Sequence, residues 1–134
     1  MATNTADRKK VVVTGASSGI GRAAAERFAQ ENWDVCVTAR REQELRNLVA
    51  SFPPGNHLVL PGDYSDAQTA AKIGALVQER WGHIDVLANI AGIYLAAHSI
   101  DSPLEEWQKS FEVMVNGAVY MTRMAVPLMP SGGR

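Results

Sequence analysis

The sequence predicts an α/β protein whose parallel sheet is doubly wound, with helices on both faces. Three features point there. Four short runs, 10–14 (KVVVT), 34–39 (DVCVTA), 57–60 (HLVL) and 84–88 (IDVLA), are apolar without polar alternation, as strands covered on both faces are. The segments between them carry apolar residues at helical spacing. The connections are short enough for parallel crossovers, and regular alternation of strand and helix implies a parallel sheet.

The first strand, Lys10 to Thr14, leads through glycines into a helix whose apolar stripe is Ile20, Ala24 and Phe28, with Ala25 and Ala29 beside it. After the second strand, Leu45, Leu48, Val49 and Phe52 mark a helix over 42–52 that Pro53-Pro54-Gly55 stops. After the third, Ser65 and Gln68 have capping-box spacing and open a helix with Ile73, Leu76, Val77 and Trp81 on one face, ended by Gly82. After the fourth, Ser102 reads as an N-cap, Pro103 as the first helical residue and Glu105 as the capping-box acid. The helix they open carries Trp107, Phe111, Met114, Val115, Ala118 and Val119, and Pro127 and Pro130 end it. The order is β-α-β-α-β-α-β-α, a single domain over 1–134 without repeats, low-complexity tracts or linkers.

The composition is that of a globular protein: 46% hydrophobic, 20% charged, 134 residues and net charge -1. Such a balance offers nucleic acid or an anionic membrane no global field. The cluster Arg8-Lys9-Lys10 reads as a solvated terminus. The N-terminus lacks an apolar signal region, and no apolar run approaches the about 20 residues that span a bilayer. Cys36 sits in an apolar strand and predicts a buried small hydrophobe, while His57, His83 and His98 are too scattered for a metal site. A cytoplasmic location is expected.

The stretch VVVTGASSGIGRA places Gly15, Gly19 and Gly21 between a strand and a helix. Glycine there permits positive φ and close approach of a pyrophosphate, and the helix N-terminus offers free N–H groups and partial positive charge. No lysine follows the glycines, so a phosphate loop of the Walker type is excluded. The turn predicts dinucleotide binding in a Rossmann-like fold of strand order 3-2-1-4, with Ser17, Ser18 and Ile20 also assigned to the cofactor. At the end of the second strand stand Arg40 and Arg41, where an NAD-preferring site would carry an acid. Two guanidinium groups suit a 2′-phosphate, and cations are unfavourable at a helix start without such a ligand. NADP(H) is therefore expected over NAD(H), with Glu42 and Glu44 as partial compensation for the arginines.

Thr14-Gly-x-x-x-Gly-x-Gly21, Asp63 after the third strand, Asn89-Ile90-Ala91-Gly92 after the fourth and Asn116 in the last helix resemble the short-chain dehydrogenases/reductases. The resemblance runs from about Val11 to the end of the chain. It implies that Asp63 and Tyr64 line the adenine pocket and that Asn89, Ala91 and Gly92 follow the adenosine ribose. A simple turn or capping role for Asp63 stays open. Ile90 departs from the family's second asparagine, which puts the rigidity of that turn in question.

The same resemblance implies hydride transfer between a nicotinamide and a small-molecule carbonyl or alcohol. The family uses a tyrosine as general acid/base, a lysine four residues later that lowers its pKa from about 10, a serine, and an asparagine supporting a relay water. Asn116 matches the asparagine, and its neighbour Gly117 makes this a place where the helix is expected to distort. An ordinary exposed asparagine remains the alternative. None of Tyr64, Tyr94 and Tyr120 has a lysine four residues on; Tyr94 and His98 are assigned to the substrate side of the pocket. The expected chain is thus a cofactor-binding half, inactive alone, with later strands absent and the fourth strand an open edge. Met114, Val115, Val119 and Met121 are expected to face out, covered by a second copy or a complementary C-terminal segment. Two other readings compete: a non-catalytic dinucleotide-binding short form, and an interaction module that pairs through its sheet edge.

Overall fold

The computed structural model describes residues 8–93 and 100–134. Its strands are β1 (Lys10–Thr14), β2 (Asp34–Thr38), β3 (Leu58–Val59) and β4 (Val86–Ala88), and its helices α1 (Gly19–Gln30), α2 (Glu42–Ala50), α3 (Ala67–Trp81), α4 (Leu104–Phe111) and α5 (Gly117–Ala125). A π-helical turn, Glu112–Asn116, joins α4 to α5, and a 3-10 turn, Val126–Leu128, follows. The sheet is parallel in the order β3-β2-β1-β4. β1 pairs with β2 from Lys10↔Asp34 to Thr14↔Thr38, and with β4 from Val11↔Val86 to Val13↔Ala88.

Because side chains alternate along a strand, the sheet feeds two cores. Val11, Val13, Val35 and Val37 face α1 and α2, where Ala25, Ala29, Leu45 and Leu48 meet them. Val12 and Cys36 face the opposite way, onto Ile73, Val77, Met121 and Ala125 of α3 and α5. Burial raises the Cys36 thiol pKa far above its ordinary value, so it packs as the apolar residue the sequence predicts.

Several expectations shift. The α1 stripe is Gly21, Ala25 and Ala29, while Ile20 is 78% exposed; the smallest residues let this helix lie closest to the sheet. Asp66, rather than Ser65, caps α3, accepting from the backbone N–H groups of Gln68 and Thr69. Leu76 is exposed, whereas Gly74 is buried against Met124 of α5. The C-cap Gly82 has φ 80°, the left-handed end expected of it. α4 begins at Leu104, one residue after Pro103.

In the last helical stretch the buried side is Val113, Gly117, Met121 and Ala125. Trp107, Phe111, Met114, Val115 and Val119 stay 46–57% exposed, so Met114, Val115 and Val119 face out as expected. Met121, expected to face out, is fully buried.

The basic cluster at 8–10 is not simply solvated. Arg8 donates to Pro54 O at 2.8 Å and lies 4.0 Å from Asp34 Oδ1, and Lys10 is a buried strand residue whose Nζ donates to Arg8 O. Nor is β4 wholly open. The turn at Gly132, with φ 89°, returns the chain alongside it. Arg134 N–H donates to Asp85 O at 2.9 Å and Leu87 N–H to Arg134 O at 2.8 Å. Among the described residues, no helix is long and apolar enough to cross a membrane.

Candidate functional site

All four strands end on the same side of the sheet, and the segments leaving them surround a cavity of about 680 Å³. Such a crevice beyond the carboxyl ends of parallel strands, where crossovers diverge to opposite faces, is the usual ligand site of this architecture. Three of its walls are the turn after β1 (Gly15, Ser17 to Gly21), Ala39-Arg40-Arg41 after β2, and Asp63-Tyr64 after β3. Ile90 to Ile93 after β4 form a fourth, and Lys109, Val113 and Met114 close it from the last helical stretch.

The glycines have distinct physical reasons. Gly15 has φ 66°, and a Cβ there would stand 2.7 Å from Ala91 Cα, so the β1 and β4 turns are in backbone contact. A Cβ on Gly21 would collide with the Gly15 carbonyl, which α1 crosses at close range. Gly19 has φ 56° and nothing near its virtual Cβ. It leaves open space at the N-terminus of α1, whose N-cap Ser18 makes no side-chain capping bond. A helix start of this kind, free of acidic residues in its first turn, attracts an anion. The cradle therefore fits a pyrophosphate, through bare backbone and free N–H groups.

Thr14 ties the two turns together. Its buried hydroxyl accepts from the N–H groups of Ile90 and Ala91, both at 3.1 Å, and lies 3.4 Å from Ala88 O, to which it donates. The rigidity that Ile90 put in question is thus supplied from β1, while the Ile90 side chain packs on the α1/α2 core.

Arg41 Nη2 donates to Ser17 Oγ at 3.3 Å, joining the β2 wall to the glycine turn. Glu42 is held by Arg46, whose Nε donates at 3.0 Å, so its charge is engaged away from the cavity. Asp63 accepts from both the hydroxyl and the N–H of Ser65, at 2.5 and 3.0 Å. The hydroxyl bond chiefly lowers its pKa; partial burial opposes this, while the Ser65 N–H, Lys109 and Arg40 reinforce it. Asp63 is therefore an anion at the β3 wall as well as a turn former. Tyr64 has its pKa raised, first by burial and then by the charge of Asp63, with Arg40 opposing. Its ring lies where a Cβ on Gly117 would be, 2.7 Å from Tyr64 Cδ2. Gly117 is thus glycine because a tyrosine packs on the helix there.

Two predicted residues do not join the cavity. Asn89 donates through Nδ2 to Thr122 Oγ1 at 3.3 Å, linking the end of β4 to α5. Asn116 is exposed at the end of the π-helical turn and does not line the cavity wall. The helix does distort at this point, as the Asn116-Gly117 pair suggested. Tyr94 and His98 lie outside the described residues. Thr14, Lys109, Val113, Met114 and Ile93 were not assigned from sequence. The four-residue spacing of Lys109 and Val113 was the available signal, since it places them on one helical face.

Comparison with known proteins agrees with this geometry. The sequence profile described as short chain dehydrogenase matches residues 9–134. The chain is similar to a meso-2,3-butanediol dehydrogenase of Serratia marcescens, 34% identical over 121 residues, covering 90% of this chain and 48% of that protein. Among solved structures, a short-chain dehydrogenase/reductase of Brucella melitensis superposes with TM-score 0.86 at 32% identity, covering 90% of this chain and 52% of that one. The L-sorbose reductase of Gluconobacter frateurii, solved with NADPH and L-sorbose, gives 0.83 at 32% identity, covering 91% and 48%. The chain spans about half the length of the curated relatives it matches. Matched in profile along nearly all its length and in fold to these enzymes, it belongs to the short-chain dehydrogenase/reductase family.

Proposed function

We propose that this chain is the cofactor-binding half of an NADP(H)-dependent oxidoreductase acting on a small-molecule carbonyl or alcohol. The observation that carries the proposal is the wall formed by Arg40 and Arg41 beside the glycine turn, with Arg41 bonded to Ser17 and Glu42 engaged by Arg46. In this reading Gly19 and the start of α1 receive the pyrophosphate, and the two arginines receive the adenosine 2′-phosphate. Asp63 and Tyr64 bound the adenine, while Ala91 and Gly92 flank the ribose. The bound nicotinamide supplies or accepts the hydride. The chain's own work is to bind and orient that cofactor and to hold the 90–93 segment against β1. Asn116 is given no catalytic role, because it stands off the cavity.

The exposed stripe Trp107, Phe111, Val115 and Val119 supports a further element of the reading: the working protein covers this face with a second copy or a complementary segment. It also favours the competing interaction-module reading, which requires no dinucleotide binding at all.

The test is the affinity of Arg40→Ala and Arg41→Ala for NADPH and NADH, followed by nicotinamide fluorescence. A charge-assisted bond to phosphate contributes about 1.5–3 kcal/mol, so each substitution should weaken NADPH by about tenfold or more and leave NADH nearly unchanged. Equal losses for both cofactors, or none, would remove the 2′-phosphate assignment.

A further inference from the structure

The distorted helical stretch enters the cavity through a residue that the sequence placed only on the exposed apolar face. Met114 lies inside the π-helical turn and lines the cavity; Asn116, two positions on, is exposed and is not among the lining residues. Successive helical residues are separated by roughly 100°, so a two-residue offset sends side chains to nearly opposite sides. Ile93 N–H donates to Met114 Sδ at 3.3 Å, and a Cβ on Gly92 would sit only 3.0 Å from that sulfur. The thioether therefore occupies the space that the bare Gly92 leaves, against the segment that forms the β4 wall.

We propose that Met114, through its thioether, is a positioning residue for the dinucleotide site, and that it fixes the Gly92–Ile93 backbone. The 90–93 segment then has two anchors. The Thr14 hydroxyl holds Ile90 and Ala91 from β1, and the Met114 sulfur holds Ile93 from the helix. Methionine suits the second task because its unbranched, polarizable side chain follows an irregular backbone, and its sulfur is a weak acceptor. The consequence for the proposed cofactor site, on whose reading the ligand part of this inference rests, is a pocket wall set by a thioether. The helical distortion brings a thioether, and not an amide, to the cavity.

The experiment compares Met114→Leu, Met114→Ala and Asn116→Ala in the intact protein. Backbone N–H exchange at Ile90, Ala91 and Ile93 is followed by NMR, and NADPH affinity by fluorescence. Leucine keeps most of the volume but lacks the acceptor. Both Met114 variants should speed exchange at Ile93 by about two- to tenfold, the range of one net hydrogen bond, while Ile90 and Ala91 stay unchanged and report an intact fold. Met114→Ala should weaken NADPH severalfold, Met114→Leu should recover most of that loss, and Asn116→Ala should alter neither quantity. Unmoved Ile93 exchange in both Met114 variants would overturn the proposal, as would a response to Asn116→Ala matching that of Met114→Ala. Exchange at Ile93 is read without cofactor. A protein that binds no NADPH in any form would therefore refute the proposed function while the Met114–Ile93 link stood or fell on its own result.

Discussion

Substituting alanine at Gly15 and at Gly19 separates the structural from the binding role of the turn after β1. Both residues have positive φ, 66° and 56°, and an L side chain in the left-handed region costs about 1–2 kcal/mol. At Gly19 nothing else opposes the new methyl group, because beyond its chain neighbours and its own helix backbone no atom lies within 4 Å of it. At Gly15 the methyl would meet Ala91 Cα at 2.7 Å and Ala91 N at 3.0 Å. That backbone is held by Thr14 and cannot simply swing away. Forced overpacking adds about 1–3 kcal/mol, giving a total near 2–5 kcal/mol for Gly15→Ala against about 1–2 for Gly19→Ala. Urea unfolding of the two variants should show this order. NADPH titration should show a large loss for Gly19→Ala despite its mild instability, because its methyl group stands in the space assigned to the pyrophosphate. Equal destabilisation, or full NADPH affinity in Gly19→Ala, would refute the reasoning.

Three further outcomes are expected. Thr14→Val keeps the shape of a fully buried side chain, strips the Ala91 N–H of its acceptor and leaves the Ile90 N–H with Ala88 O alone, so it should cost about 1–3 kcal/mol in urea unfolding. Met121→Ala empties a fully buried site between sheet and helices and should cost about 2–5 kcal/mol, whereas Val119→Ala on the exposed stripe should stay within about 0.5 kcal/mol. Asp63 has a folded pKa below its ordinary 3.8, so between the two values the unfolded chain binds the extra proton. Its stabilising effect is present above 3.8 and lost as pH falls through the folded pKa. The stability difference between the wild type and Asp63→Asn, read from urea midpoints, should shrink as pH is lowered from 7 to 3.

The strand order and the glycine turn were legible because both are written locally. Unbroken runs such as VVV need cover on two faces, and glycines between strand and helix have few other uses. Which face of a helix is buried was harder to read. Counting large apolar residues chose Ile20 in α1, but Gly21, Ala25 and Ala29 are the residues that let the helix approach the sheet. The last helical stretch is apolar on two sides, and sequence alone does not say which of them meets the sheet. Met114, Val115 and Val119 face out as expected, but Met121, grouped with them, is buried with Val113, Gly117 and Ala125. The same difficulty moved the cavity-facing residue from Asn116 to Met114. Thr14 was missed for another reason: as the last residue of a buried strand it reads as core, and only the fold brings its hydroxyl to residues 90 and 91.

The most direct test of the dinucleotide reading is the ratio of NADPH to NADH affinity in the unmodified protein, measured by titration at fixed ionic strength. Two arginines placed for one phosphate predict NADPH binding tighter by about tenfold to a hundredfold, with the preference shrinking as salt screens the charges. Equal affinities, or a preference for NADH, would contradict the assignment of Arg40 and Arg41. Binding of neither cofactor would contradict the dinucleotide site itself.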